Sequence, residues 1–218
     1  MIFCAGRGTR MRDLSAQRPK PMISVAGRPL VDHALDQLSG VERLFANLHY
    51  LPAPLRAHLE PRGIETVHEA ELLETGGGLK NALGRLDRDA VYTMNTDALW
   101  DGAVAADVLA QAWDAARMDA LLLVVAMDRT VGHLGSGDFS VGADGRLARG
   151  GSFVYTGAQI IRTAPVAAQA GAHFSLNAVW ERIGAAGRLF GVVYPGRWAD
   201  VGYPEAISLA EEMVGFDV

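Results

Sequence analysis

From Met1 to Asp128, short apolar runs alternate with amphipathic stretches. Met1-Ile2-Phe3-Cys4-Ala5 reads as a buried strand running into a glycine loop, and segments 44–48, 64–68, 90–95 and 120–126 repeat the type. Between them, apolar residues at 30, 31, 34, 35 and 38 form the stripe of an amphipathic helix, with Pro29 near its first turn. Further helical patterns cover 54–59, 79–86 and 104–117. Strands that are apolar throughout, rather than at alternate positions, have both faces covered, as in a parallel sheet sandwiched by helices. Strand–helix alternation points the same way. The expected fold is α/β, with a Rossmann-like, mixed but mostly parallel sheet flanked by helices.

After Asp128 the rhythm changes. Phe139-Ser140-Val141 and Arg146-Leu147-Ala148 flank Gly142-Ala143-Asp144-Gly145, a hairpin signal. Strands at 153–161 and 189–194 and helices at 176–186 and 203–213 follow. No repeat or flexible linker sets this part off. One domain over 1–218 is expected, with a β-rich half (129–218) laid over the sheet of the first half (1–128).

Composition narrows the function. With 218 residues, 50% of them hydrophobic, the chain can build a core without disulfides, and its net charge of −5 does not fit intrinsic disorder. An acidic balance without a Lys/Arg run argues against a nucleic-acid duplex or an anionic membrane as partner. No apolar run reaches the roughly 18 residues of a membrane span. The first residues do not read as a signal peptide, because Gly6, Arg7, Gly8 and Arg10 interrupt them. A single cysteine, Cys4, fits a reducing cytoplasm.

Candidate chemistry gathers at three places. Ala5-Gly6-Arg7-Gly8-Thr9-Arg10-Met11-Arg12, followed by Pro19-Lys20-Pro21-Met22, puts glycines directly after a buried strand. Backbone N–H groups there can approach an anion, and Arg12 and Lys20 add a planar fork and a point charge suited to phosphate. A tight turn with solvated arginines satisfies the same spacing. A Walker loop is absent, and Met11 stands where a dinucleotide fingerprint needs glycine. Glu74-Thr75-Gly76-Gly77-Gly78 fits either a flat base lying on peptide planes or a plain helix start. Asp97, in Asn95-Thr96-Asp97, stands at the carboxyl end of a strand, where open α/β sheets bind ligands; a turn or N-cap aspartate is the alternative. The histidines show no helical zinc spacing, no nucleophile elbow is present, and Cys4 reads as packing.

The run Gly6 to Arg12, then Arg18-Pro19-Lys20-Pro21-Met22 and Val25-Ala26-Gly27-Arg28-Pro29-Leu30, resembles the signature of sugar-phosphate nucleotidylyltransferases. Leu73-Glu74-Thr75-Gly76-Gly77-Gly78 and Gly196-Arg197-Trp198-Ala199-Asp200-Val201-Gly202 are most similar to a short uridylyltransferase subgroup acting on N-acetylmuramic acid 1-phosphate. The resemblance implies a glycosyltransferase-A-like fold and, as partners, a nucleoside triphosphate and a sugar 1-phosphate. It implies that Ala5, Gly6, Gly8, Thr9 and Asn95 bind nucleotide, that Arg12 and Lys20 contact the reacting phosphates, and that Glu74 and Gly77 meet the base. Tyr155, Gly157 and Asn177 fall where the family binds sugar, although Tyr155 also reads as core and Asn177 as a helix cap. Asp97 and Asp200 are implied ligands of magnesium. Two carboxylates that meet repel, and a divalent cation that also takes phosphate oxygens removes that penalty. Thr96 departs from the family's usual glycine and is expected to crowd the ribose side. A guanylyltransferase acting on mannose- or heptose-type 1-phosphates, or a catalytically silent nucleotide-sugar sensor, is the alternative. A monomer or weak homo-oligomer is expected.

Overall fold

The computed structural model describes residues 1–216. In chain order the elements begin with β1 (Ile2–Phe3), a ribbon of β2 (Ser24–Val25) and β3 (Arg28–Pro29), α1 (Leu30–Asp36), β4 (Phe45–Leu48) and α2 (Pro52–Leu59). Next come β5 (Glu65–His68), α3 (Glu74–Leu86), β6 (Ala90–Asn95), β7 (Ala98–Asp101), α4 (Ala105–Ala112), β8 (Ala120–Ala126) and β9 (Thr130–Val131). The remainder is β10 (Phe139–Val141), β11 (Leu147–Arg149), β12 (Phe153–Arg162), α5 (Thr163–Ala167), α6 (Leu176–Ala185), β13 (Leu189–Val193), β14 (Arg197–Asp200) and α7 (Ala206–Met213).

The central sheet runs β13-β8-β12-β6-β1-β4-β5, and β12 alone opposes the direction of the other six. The hairpin of β10 and β11 joins at the start of β12, through Phe139 and Phe153. Strand β12 thus enters the middle of the sheet, between β6 and β8.

Burial follows the pleat. Leu121, Leu123 and Val125 of β8 pack on the face covered by α1, α2 and α4, while Ala120, Leu122 and Val124 pack under α3, α5 and α6. That double burial explains a strand with no polar position. Helix α4 is shorter than its pattern, because Trp113 takes an extended conformation. A third cluster of Met11, Ile23, Val25, Leu30, Leu99, Ala199, Val201, Ala210 and Met213 lies beneath the glycine loop. It ties that loop to α7 and to a second sheet of β7, β14 and β9, which the apolar pattern did not reveal.

Cys4 is buried at the end of β1, and burial pushes its thiol up to about 12. An unfolded thiol titrates near 8.5. Its contribution to stability is therefore intact below that pH and is lost as pH rises toward the folded value. The native protein at pH 8 should leave Cys4 unmodified by a thiol reagent that labels the denaturant-unfolded chain fully. Rapid labelling of the native protein would contradict this packing.

Candidate active site

Strand β1 lies between β4 and β6, and the chain moves outward from β1 through β4 to β5 before returning on the other side at β6. The direction of progress reverses there, and such switch points open a crevice at the carboxyl ends of the strands. A cleft of about 450 Å³ occupies that position, lined by Ala5, Gly6, Gly8, Thr9, Arg10 and Lys20 on one side and Asn95, Thr96 and Asp97 on the other. Leu72, Glu74, Thr75 and Gly202 also line it, with Phe3, Asn47 and Ser175.

The loop is shaped by few residues. Gly8 has φ +63°, and a β-carbon there would sit 2.7 Å from Cβ of Lys20, so glycine lets the lysine pass. The Gly8 carbonyl accepts from the Met11 N–H at 2.8 Å and from Ser15 Oγ at 2.9 Å. Pro19 opens a single 3-10 turn over Lys20–Met22, which aims Lys20 inward. Lys20 is 9% exposed, and its Nζ donates to Asp97 Oδ2 at 2.9 Å.

Arg12, assigned from the sequence to the reacting phosphates, does not line the cleft. The 3-10 segment Thr9–Ser15 kinks at this residue (φ 52°, ψ −130°), and the side chain turns outward to pair with Glu205 at 2.9 Å. Arg10 is the arginine on the cleft wall. Its guanidinium stands beside Asp200: a β-carbon on Gly202 would lie 3.1 Å from both Arg10 Nη1 and Asp200 Oδ1.

The structure brings Asp97 and Asp200 together. Strands β7 and β14 pair antiparallel with Asp200 opposite Ala98, and the Val201 N–H donates to the Asp97 carbonyl at 2.8 Å. Burial works against ionisation of Asp97, but the charge and hydrogen bond of Lys20, with Arg10 behind, hold its carboxyl below the usual range. Asp200 is displaced upward, by burial first and then by the negative charge of Asp97; Lys20, Arg10 and His133 only partly offset this. His133 Nδ1 lies 3.6 Å from Asp200 Oδ2. Among the described residues no cluster of three or more His, Cys, Asp or Glu side chains is gathered. Two carboxylates without sulfur suit a hard cation that keeps waters and takes phosphate oxygens, and do not suit a closed zinc site. Magnesium therefore fits the donor set.

Two polar residues that the sequence reading passed over hold the cleft floor. Asn47 Oδ1 accepts from the Cys4 N–H at 2.9 Å, and its Nδ2 donates to buried Glu69 Oε1 at 2.8 Å. Glu69 Oε2 accepts from the Leu73 N–H at 3.3 Å, which ties β1, β4 and the entrance of α3 together. Thr96, expected to crowd the ribose, is 5% exposed and donates through Oγ1 to the Phe3 carbonyl at 3.1 Å. Of the two readings of the glycine triplet, the structure takes the helix start rather than the open platform for a base. Helix α3 begins at Glu74, and the three glycines are buried inside its first turns. A β-carbon on Gly77 would run into the carbonyl oxygen of Ala172, one on Gly76 into the Phe174 ring, and one on Gly78 to 2.6 Å from Glu69 Oε1. What approaches these peptides is the chain itself. Gly77 does not line the cleft, whereas Glu74, at φ 60°, does.

A second cavity of about 250 Å³ adjoins the cleft and shares Phe3, Thr75, Asn95 and Ser175 with it. Tyr155 and Asn177 line it, with Asp138, Arg149 and Trp180. Gly157 lines neither; at φ +88° it sits in the irregular stretch of β12, where a β-carbon would strike Asn95 at 2.7 Å.

A glycine loop with two cations, facing paired carboxylates at the switch point of an α/β sheet, is the arrangement of a phosphate-handling transferase. The chain belongs to the MobA-like NTP transferase domain family, whose model matches residues 1–188. It is 38% identical to N-acetylmuramate alpha-1-phosphate uridylyltransferase of Caulobacter vibrioides, covering 97% of this chain and 94% of that one. It is 28% identical to the protein of the same name from Neisseria meningitidis, covering 99% and 97%. The crystal structure of HddC from Yersinia pseudotuberculosis complexed with GMP-PN matches with a TM-score of 0.74 over 97% of this chain and 96% of that one. At 20% identity that likeness shows the fold. The protein is a nucleotidyltransferase of the sugar 1-phosphate type.

Proposed function

We propose that the protein transfers a uridylyl group from UTP to N-acetylmuramic acid 1-phosphate, with magnesium held by Asp97 and Asp200. The observation that carries this is the convergence of Lys20, Arg10 and Asp97 on one glycine-lined cleft, with Asp200 behind its lining, next to Arg10 and Gly202. Whole-length similarity to uridylyltransferases of that name supports the choice of base and sugar. A phosphate oxygen of the sugar 1-phosphate attacks the α-phosphorus, forming the new P–O bond as the bond to pyrophosphate breaks. The attacking oxygen is already an anion, so no side chain has to remove a proton. Gly6, Gly8 and Thr9 present backbone N–H groups to the triphosphate, and Lys20 draws the two anionic reactants together. Arg10, rather than Arg12, balances the departing pyrophosphate. Glu74 and Asn95 face the nucleotide, and Tyr155 and Asn177 the sugar. Bound magnesium supplies charge neutralisation at the triphosphate oxygens.

Pyrophosphate release tests this with UTP, GTP and CTP against a panel of sugar 1-phosphates. UTP with N-acetylmuramic acid 1-phosphate should give the highest kcat/KM, and EDTA should abolish turnover until magnesium is restored. Faster release with GTP and a mannose- or heptose-type 1-phosphate would install the guanylyltransferase reading. No release with any pair would favour a sensor.

A further inference from the structure

We infer that Arg149 is a specificity residue that reads a carboxylate on the acceptor sugar, so that the second cavity selects sugar 1-phosphates with an acidic substituent. This rests on the acceptor reading above. Arg149 ends β11, on the wall of the cavity that adjoins the phosphate cleft. Its guanidinium carbon lies 4.8 Å from the Phe139 ring centroid and 5.7 Å from that of Trp180, and Nη2 donates to Asn177 Oδ1 at 2.7 Å. Two rings and an amide thus contact the fork of this otherwise exposed arginine on the cavity wall. A fork held in this way loses little freedom on meeting a planar carboxylate.

Arg162 and Arg188 share Asp119, whereas Arg149 enters no ion pair among the described residues. The acid on the same cavity wall, Asp138, is anchored through Oδ2 by the Tyr155 N–H at 2.8 Å, as an acceptor suited to a sugar hydroxyl. Leu176 and Asn177, the first residues of α6, also face the cavity, and the positive end of that helix favours an anion there. A neutral sugar leaves this cation unused. The lactyl ether of N-acetylmuramate carries a carboxylate that matches it.

The test compares two acceptors at saturating UTP: N-acetylmuramic acid 1-phosphate, and the same compound with its lactyl carboxylate converted to the amide. The wild type should favour the acid by about 10- to 100-fold in kcat/KM, the range for a hydrogen bond to a charged group. In Arg149→Gln that preference should fall close to unity, mainly through KM, and Arg149→Lys should keep part of it. A variant that slows both acceptors alike, leaving the ratio unchanged, would overturn the inference. If the wild type uses acid and amide equally, the acceptor reading stands and the role of Arg149 fails. If it uses neither but accepts a neutral sugar 1-phosphate, both fail.

Discussion

Lys20→Ala should lower kcat/KM by about 10²–10³ while leaving the fold intact, the range seen when one preorganised charge-stabilising group is removed. Lys20 hydrogen-bonds Asp97 from the glycine-loop side of the cleft. Its Nζ reaches the carboxylate across 77 positions of sequence, from a stem that is almost fully enclosed. Removing it deprives both anionic reactants of a cation and leaves Asp97 beside Asp200 with less compensation. Without Lys20, the opposing influence of burial should raise the Asp97 carboxyl, so the variant's remaining activity should fall off at a higher pH than the wild type's. Steady-state kinetics against pH, alongside a thermal melt, reads both effects. Full turnover by a folded variant would remove Lys20 from the chemistry.

Gly77→Ala should destabilise the protein by about 1–3 kcal/mol, the usual cost of overpacking, and lower Tm by several degrees. Two effects oppose each other here. Alanine in a helix interior is favoured over glycine by about 1 kcal/mol. The new methyl, however, would meet the Ala172 carbonyl oxygen on one side and lie 3.0 Å from Leu73 Cβ on the other. The carbonyl is backbone and cannot rotate away, so the clash wins. Gly84 of the same helix has nothing within 4 Å of such a methyl. Gly84→Ala should therefore raise Tm, and the pair of variants separates packing from propensity. Stabilisation by both would mean that the 172–174 segment does not press on α3.

The central sheet could be read from the sequence most clearly at β8, which is buried on both faces and apolar throughout, and least at the edge strand β5, where Glu65 and His68 are exposed. The sheet of β7, β14 and β9 could not. Ala98–Asp101 and Arg197–Asp200 mix charges with tryptophans over four residues each, too short and too mixed for any period to show. The outward turn of Arg12 depends on a positive φ at a residue that is not glycine, which spacing does not reveal. Nothing in the sequence pairs Asn47 with Glu69; their mutual hydrogen bond shows why two polar side chains at neighbouring strand ends are both buried. The glycine triplet was visible as a demand for close approach, but its identity as a docking place for residues 172–174 needed the fold.

Asp200 owes its position to a ladder rather than to a loop. Because pairing of β14 with β7 sets the spacing between the two acids, the chain joining them can lengthen, shorten or diverge without disturbing that spacing. The converse is strict. Deleting a single residue from Arg197–Ala199 would invert the pleat and swing the carboxylate to the far face, and would pull Trp198 and Ala199 out of their clusters with it.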